Sequence, residues 1–533
     1  MKRKISTSLV LTFALSLPQP ALAWWGLDNS PKSTIDRLIA EEFYKIRGNH
    51  YFLITANEIV KTTAATKPKA GAVCSTVGKV QSVGSIKFKC TKSGNKYVWQ
   101  EVKPKSVFTQ ISTWNAPAVY DLAGTAELSF NFSVKTSSDI DLPKITAIFD
   151  VPFTTYETPS QTLNIPVLVT ESSRTKTNRS YQASLKLTSR DPIGTWRWKF
   201  DPLTVNGSTI AAGMSSQLSF EFTRPTFGGA VAVPVNPSPI TTYNSIKKEK
   251  FQLYAWEGEN LVILTKTNTL SPNIMGRILY TLNRSYQSYA TQTNFRPTLF
   301  KVHNNKATIA VLGPDEVGCG AACGYLGATG IEINQGFFNR LYNGVEKFDQ
   351  YDQVLFYELG RNFWDYGNYK FKISINGLGN IETSPFWDVS ITGFAVYMRY
   401  ATAEVNSIPM QPVFNGEHIP WPKFVADTKS LVTLQKNSPN SNFANTFQAK
   451  KQPVGGPLGV YDFWTSVMMH FSQGKDLAKF NTDFYAALYR QSTPTNTAGI
   501  VANFVAALSA AAGRDVSTEF YNDLRFNDAK TLP

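Results

Sequence analysis

Residues Tyr351–Gly367 read YDQVLFYELGRNFWDYG. Val354, Leu355, Leu359 and Phe363 recur at three- and four-residue steps, which predicts a buried amphipathic helix. Tyr357 and Arg361 lie one turn apart on it, so their side chains leave the same face, with Glu358 beside them.

The surrounding sequence, 251–533, predicts an α+β domain with strands first and helices after. Leu261–Thr265 and Thr308–Leu312 read as strands. Pro272–Thr291 reads as a helix with Met275, Ile278, Leu279 and Leu282 inward. A Gly-rich loop, Gly313–Gly324, follows the second strand, and Tyr325–Asn334 (YLGATGIEIN) reads as an extended edge strand. Beyond the central helix, Asp388–Glu404, Leu458–Gln473 and Asn481–Tyr521 read as helical.

Tyr357-Glu358-Leu359-Gly360-Arg361 has the outline of the zincin peptidase helix, His-Glu-x-x-His. In that motif two histidines hold zinc and the glutamate activates water. The resemblance extends to Ile391-Thr392-Gly393-Phe394-Ala395-Val396-Tyr397, which is similar to the Glu-Gly-Phe-Ala-x-Tyr context of the third zinc ligand in gluzincins and enhancin-like peptidases. The Trp-containing helix Tyr461–Phe471, followed by Gly513-Arg514-Asp515-Val516-Ser517 before Phe520, resembles the C-terminal order of the enhancin-like group. The likeness covers roughly Leu253–Phe526.

The resemblance implies three lost zinc ligands, at Tyr357, Arg361 and Thr392, and a retained general base, Glu358. A phenol is a poor ligand near neutral pH, and a guanidinium has no lone pair to give a metal. An Arg361–Glu358 pair would put a fixed positive charge where the ion would sit. No metal or other cofactor is expected. The implied cleft is lined by Tyr357, Glu358, Arg361, Tyr366, Thr392 and Tyr397, and its occupant is a peptide, glycoprotein or glycan. Catalytically the domain reads as a pseudopeptidase. The alternative is an active metal-dependent peptidase or other hydrolase with Glu358 as general base beside an unusual metal site, and a third reading is a structural wall or adhesion protein. An oxygen-rich site of Glu358, Asp365, Glu382 and Asp388 would suit Ca²⁺ or Mg²⁺. The four histidines, His50, His303, His418 and His470, form no ligand-spaced pair.

Upstream, the apolar period changes from helical to two. Across 106–226, Leu128, Phe130, Phe132 and Val134 alternate with polar neighbours, as do Ala183, Leu185 and Leu187, then Leu218, Phe220 and Phe222. Trp196, Trp198 and Phe200 share one face of a further strand. About seven short strands in roughly 120 residues predict an immunoglobulin-like β-sandwich acting as a spacer. Residues 227–250 read as a linker.

Residues 72–104 predict a compact hairpin around the turn Ser93-Gly94-Asn95, with Cys74 and Cys90 as its staple. Closing a loop of about 15 residues stabilises a unit this small by roughly 3 kcal/mol. The pattern resembles short Cys–Gly–Cys–Trp modules of exported actinobacterial proteins. Cys319 and Cys323 form the second local pair. Sequence permits three connectivities, but two local disulfides require no long-range assumption.

The N-terminus sets the compartment. Lys2-Arg3-Lys4, the apolar Leu9–Leu17 and Ala21-Leu22-Ala23 predict a signal peptide over 1–23, cleaved after Ala23, and a secreted or surface-associated protein. Residues 24–71 read as a helical segment and linker. No stretch approaches the about 20 apolar residues of a membrane-spanning helix.

Composition fits a multidomain globular chain: 533 residues, 42% hydrophobic and 17% charged. Aromatic residues make up 13%, which predicts an aromatic core. The net charge of +14 is diffuse, with one small cluster at Lys247-Lys248-Glu249-Lys250. With no dense basic run and no nucleic-acid motif, nucleic acid is not an expected partner, whereas an anionic cell-wall polymer suits a diffuse positive surface. No Gly-x-Ser-x-Gly elbow, P-loop or dinucleotide fingerprint is present.

Overall fold

The computed structural model describes residues 69–83, 86–102, 119–121, 126–135, 146–155, 158, 160–200, 203–205, 208–210, 219–364, 373–375, 380–382 and 384–533. The expected signal peptide and the helix after it lie outside these residues. The described chain is a multidomain α+β protein with several largely antiparallel sheets. Two compact units divide it: Gly228–Val345 with Tyr351–Pro533, and the preceding β-rich chain through Phe227 with Glu346–Gln350.

In the β-rich unit, β1 (Val80–Val83), β2 (Ile86–Ser93) and β3 (Lys96–Glu101) form an antiparallel three-stranded sheet. It has one strand more than the expected hairpin. The period-two pattern sends Phe88, Cys90 and Trp99 to one face, where they bury with Cys74. Cys74 and Cys90, Cα atoms 5.9 Å apart, are at disulfide distance.

The following strands are β4 (Val119–Asp121), β5 (Ala126–Lys135), β6 (Thr146–Phe153), β7 (Gln161–Arg174), β8 (Asn178–Leu187), β9 (Gly194–Phe200), β10 (Leu203–Val205), β11 (Ser208–Ile210) and β12 (Ser219–Thr223). Seven of them run in one path, β4-β12-β9-β6-β7-β8-β5, and β10-β11 form a separate ribbon. The long strand β7 joins the path's two halves: Gln161–Leu168 pairs with β6, and Val169–Arg174 with β8. Its core is aromatic, with Phe149 4.9 Å from Trp198 and 6.1 Å from Trp196, ring centre to ring centre. Asp349 belongs to this unit, where it pairs with the buried Arg224 and accepts from the Phe227 N–H at 2.7 Å.

In the C-terminal unit, β13 (Pro237–Asn244), β14 (Lys250–Glu257), β15 (Leu261–Thr265), β16 (Val302–His303), β17 (Lys306–Leu312), β18 (Ala322–Gly324) and β19 (Ile331–Asn334) build one sheet, with the order β13-β14-β15-β17-β19-β18 and β16 beside β17. Strand β13 thus lies wholly within the 227–250 stretch read as a linker, and β14 begins at its last residue, which corrects that reading. The strands β15, β17 and β19 run parallel, and β15 is buried at all five residues, as a strand covered on both faces must be.

The expected edge strand at Tyr325–Asn334 needs correction. Only Ile331–Asn334 is extended there, and it is interior, because β18 pairs on its outer side and is itself the edge. Gly327 and Gly330 take φ of +71° and +122°, which turns the chain before β19.

Eight α-helices follow among the described residues: α1 (Pro272–Thr293), α2 (Gln335–Phe348), α3 (Val354–Asn362), α4 (Pro385–Val405), α5 (Trp421–Asn437), α6 (Val460–Phe471), α7 (Leu477–Tyr489) and α8 (Thr497–Ala512). The expected closing helical stretch is two helices, broken before Asn496, whose side chain caps α8. Helices α2 and α5 were not expected: glycines and asparagines interrupt the apolar pattern of α2, and α5 opens with Trp421-Pro422. Helix α4 is buried almost all round, as a central helix requires. The rings of Phe386, Phe443, Phe447, Phe463, Phe504 and Phe526 meet within the helical layer, so much of the aromatic content is core.

Helices α4 and α6 touch at Gly393, where an added Cβ would lie 2.7 Å from the buried Trp464 indole. Gly393→Ala is expected to lower the urea midpoint. Overpacking of about 1–3 kcal/mol exceeds the helix-propensity gain of about 1 kcal/mol. Gly336→Ala on α2 has room, with only Asn334 Oδ1 at 3.4 Å, and serves as the control. Equal midpoints for the two variants would contradict this packing.

Candidate functional site

Helix α3 carries Glu358 into the core of the C-terminal unit. Its Oε2 accepts from the Gly324 N–H of edge strand β18 at 2.6 Å. Residue 324 must be glycine for this approach: a Cβ there would lie 2.6 Å from the Glu358 carbonyl oxygen and 2.9 Å from Oε2. Arg361 follows one turn on. Its Nε lies 3.7 Å from Glu358 Oε2 and donates to the Gly324 carbonyl at 3.3 Å, while Nη1 donates to the Tyr357 hydroxyl at 3.4 Å. One guanidinium therefore ties the phenol, the carboxylate and the strand together.

The loop after β18 clamps the end of the helix. Asn362 Nδ2 donates to the carbonyls of Tyr325 (2.8 Å) and Gly330 (3.3 Å), and the Gly327 N–H donates to the Arg361 carbonyl at 3.2 Å. Cys319 and Cys323, Cα atoms 5.7 Å apart, are at disulfide distance and hold the strand just before Gly324. Both expected cysteine pairs are therefore adjacent in space.

The expected cleft residues divide. Tyr357, Glu358 and Arg361 meet at one point. Thr392 and Tyr397 lie buried on α4, and the Tyr397 hydroxyl donates to Asn481 Oδ1 at 2.5 Å, which in turn connects to Gln292. Tyr366 lies outside the described residues, as does Asp365. Asp388 pairs with Lys450 at 2.6 Å on the surface. Among the described residues no three His, Cys, Asp or Glu side chains could together hold a metal ion. Three of the histidines are described and each is engaged separately: His303 beside Glu257, His470 on Glu519, and His418 against Phe414.

Beneath the site runs a buried polar chain that the sequence did not reveal. Arg399 of α4 reaches Gln353 and Asp462, and Arg340 of α2 pairs with Asp352 at 3.0 Å. Gly324 was also missed, although the loop that ends on it stood out. Its role depends on a contact across 34 residues, which local pattern cannot show.

Burial pushes the Glu358 carboxyl up to about 7, and the opposing pull of Arg361 and the Gly324 N–H does not cancel it. Burial likewise raises Tyr357, so the phenol stays neutral. No protein-family model matches the chain, and no curated protein sequence does either. Among the described residues no helix is long and apolar enough to cross a membrane.

Unfolded, Glu358 ionises at its ordinary value of 4.5, whereas folded it keeps its proton up to about 7. Between those values the folded state binds more protons, so this group's contribution to stability falls as pH rises. Glu358→Gln retains an acceptor for Gly324 without titrating. The wild type is expected to lose stability relative to that variant as pH rises from about 4.5 to about 7, measured by urea unfolding. Parallel pH profiles would refute the assignment.

Proposed function

We propose that the C-terminal unit is a degenerate zincin-like domain that binds a peptide, glycoprotein or glycan and does not hydrolyse it. The observation that carries this reading is the Arg361 guanidinium 3.7 Å from Glu358 Oε2. In the resemblance Arg361 stands at the second histidine's place, so a fixed cation accompanies the glutamate that would otherwise face a metal. The parallel strands β15, β17 and β19, with the antiparallel edge strand β18 against the Glu358 helix, support the same reading. The β-rich strands of 119–223 serve as an immunoglobulin-like spacer, and the protein is exported and surface-associated, its cysteine pairs being suited to an oxidising compartment.

One observation favours the hydrolase alternative. A carboxyl raised to about 7 suits a general base near neutral pH. That reading requires metal-dependent chemistry at Glu358.

Elemental mass spectrometry of the purified protein, with a peptide, glycopeptide and glycan binding screen, separates the two. The binding reading expects metal far below one per chain, a ligand whose affinity falls in Arg361→Leu, and no chelator-sensitive hydrolysis. Near-stoichiometric metal, with hydrolysis abolished by Glu358→Gln, would overturn it.

A further inference from the structure

The positive charge that is diffuse in sequence becomes dense on one small surface. Residues 69–102 contain six lysines, no arginine and a single acidic residue, Glu101. Strand alternation sorts them. Phe88 and Cys90 turn inward, so Lys87 and Lys89 of β2 turn outward. Register then adds neighbours on that outer face: Lys89 lies between Val80 and Gln100, Lys87 lies opposite Ser82, and Lys96 pairs with Ser93. Lys87, Lys89 and Lys96 are all exposed, and among the described residues none of them forms an ion pair with an acidic side chain.

This arrangement works against the module's own stability. Its buried cluster is Cys74, Phe88, Cys90 and Trp99, with Val83 packed against it. Like charges gathered on one sheet repel and contribute nothing to so small a core. A local rule broken without structural gain is characteristic of a functional surface.

We propose that the outer face of β1-β2-β3 binds the phosphodiester backbone of a linear, base-free polyanion. A lysine ammonium binds phosphate oxygens as a point charge and needs no planar bidentate geometry, which arginine would supply and this module lacks. Lys87 and Lys89 stand about 7 Å apart along β2, and a flexible polymer charged at every repeat reaches both. Thr91, whose hydroxyl donates to Gln100 Oε1 at 3.1 Å, adds polar groups to the same face. Single-stranded nucleic acid fits less well. Its bases need aromatic platforms, and Trp99 and Tyr97 alternate with Val98 and Gln100 onto the opposite face. The inference is independent of the reading of Glu358.

The test uses the full chain with synthetic poly(glycerol phosphate), measured by fluorescence anisotropy across salt concentrations. Binding is expected to weaken with salt. Lys87→Glu/Lys89→Glu/Lys96→Glu is expected to reduce affinity roughly tenfold or more and to lower the log–log salt slope by about 2, from three lost phosphate contacts. Lys248→Glu/Lys250→Glu/Lys475→Glu, which changes net charge equally in the C-terminal unit, is expected to bind as the wild type does. A conservative Lys87→Gln/Lys89→Gln/Lys96→Gln variant, checked for its intact disulfide, guards against misfolding and is expected to show a smaller loss in the same direction. Three results would overturn the proposal: no binding by the wild type, equal losses in the two charge-reversal variants, or single- or double-stranded DNA binding as tightly as the base-free polymer.

Discussion

A carboxylate taken out of water must be answered by donors or by charge. In the C-terminal unit Glu358 is answered by one backbone N–H from β18 and one guanidinium from its own helix. Much follows from that pairing. Strand β18 has to approach α3 closely enough that only glycine fits at 324, and the cysteine pair immediately before it restrains the strand there. Arg361 completes the arrangement by donating to the same strand's carbonyl. Sheet edge and helix are thus joined by directional polar contacts within an apolar surrounding.

The same solution recurs through the unit. Arg399 meets Asp462 and Gln353, Arg340 meets Asp352 and Gln411, and Glu332 accepts from the Tyr243 hydroxyl and the Ile246 N–H. Burial raises the carboxyls of Asp462, to about 6, and of Glu332, because desolvation outweighs their partners. These pairs link α4 to α6, α2 to the chain at Gln411, and β19 to the chain at Tyr243 and Ile246. The phenylalanine cluster supplies bulk cohesion around α4, α6 and α8 without directional preference, whereas the polar pairs fix which atoms face one another.

The two units solve the core problem differently. The β-rich unit gathers Phe149, Trp196, Trp198, Phe220 and Phe222 by strand alternation, which needs no buried charge in the aromatic cluster itself. The three-stranded module is too small for either solution, and relies on one cysteine pair packed with buried Phe88 and Trp99. Its outer face is correspondingly free of packing duties, which is why lysines can collect there.

Period and spacing alone determined much of this protein: the helix around Glu358, strands β8, β9 and β15, helices α1, α4 and α6, and both cysteine pairs. Those features depend on neighbours within a few residues, where the 3.6 and 2.0 periods and short loop closures act directly. Tertiary structure decided the rest. It placed β19 inside the sheet and made β18 the edge, because strand order depends on pairing across long crossovers. Tyr397 was buried on Asn481, and Gly324 was set against Glu358, through contacts 84 and 34 residues apart. Lys87, Lys89 and Lys96 of the module were likewise brought to one face by strand alternation and cross-strand register. The Tyr397 and Gly324 contacts are long-range, and strand order and register are set by which strands pair, so none of these can be read from the period of a single segment.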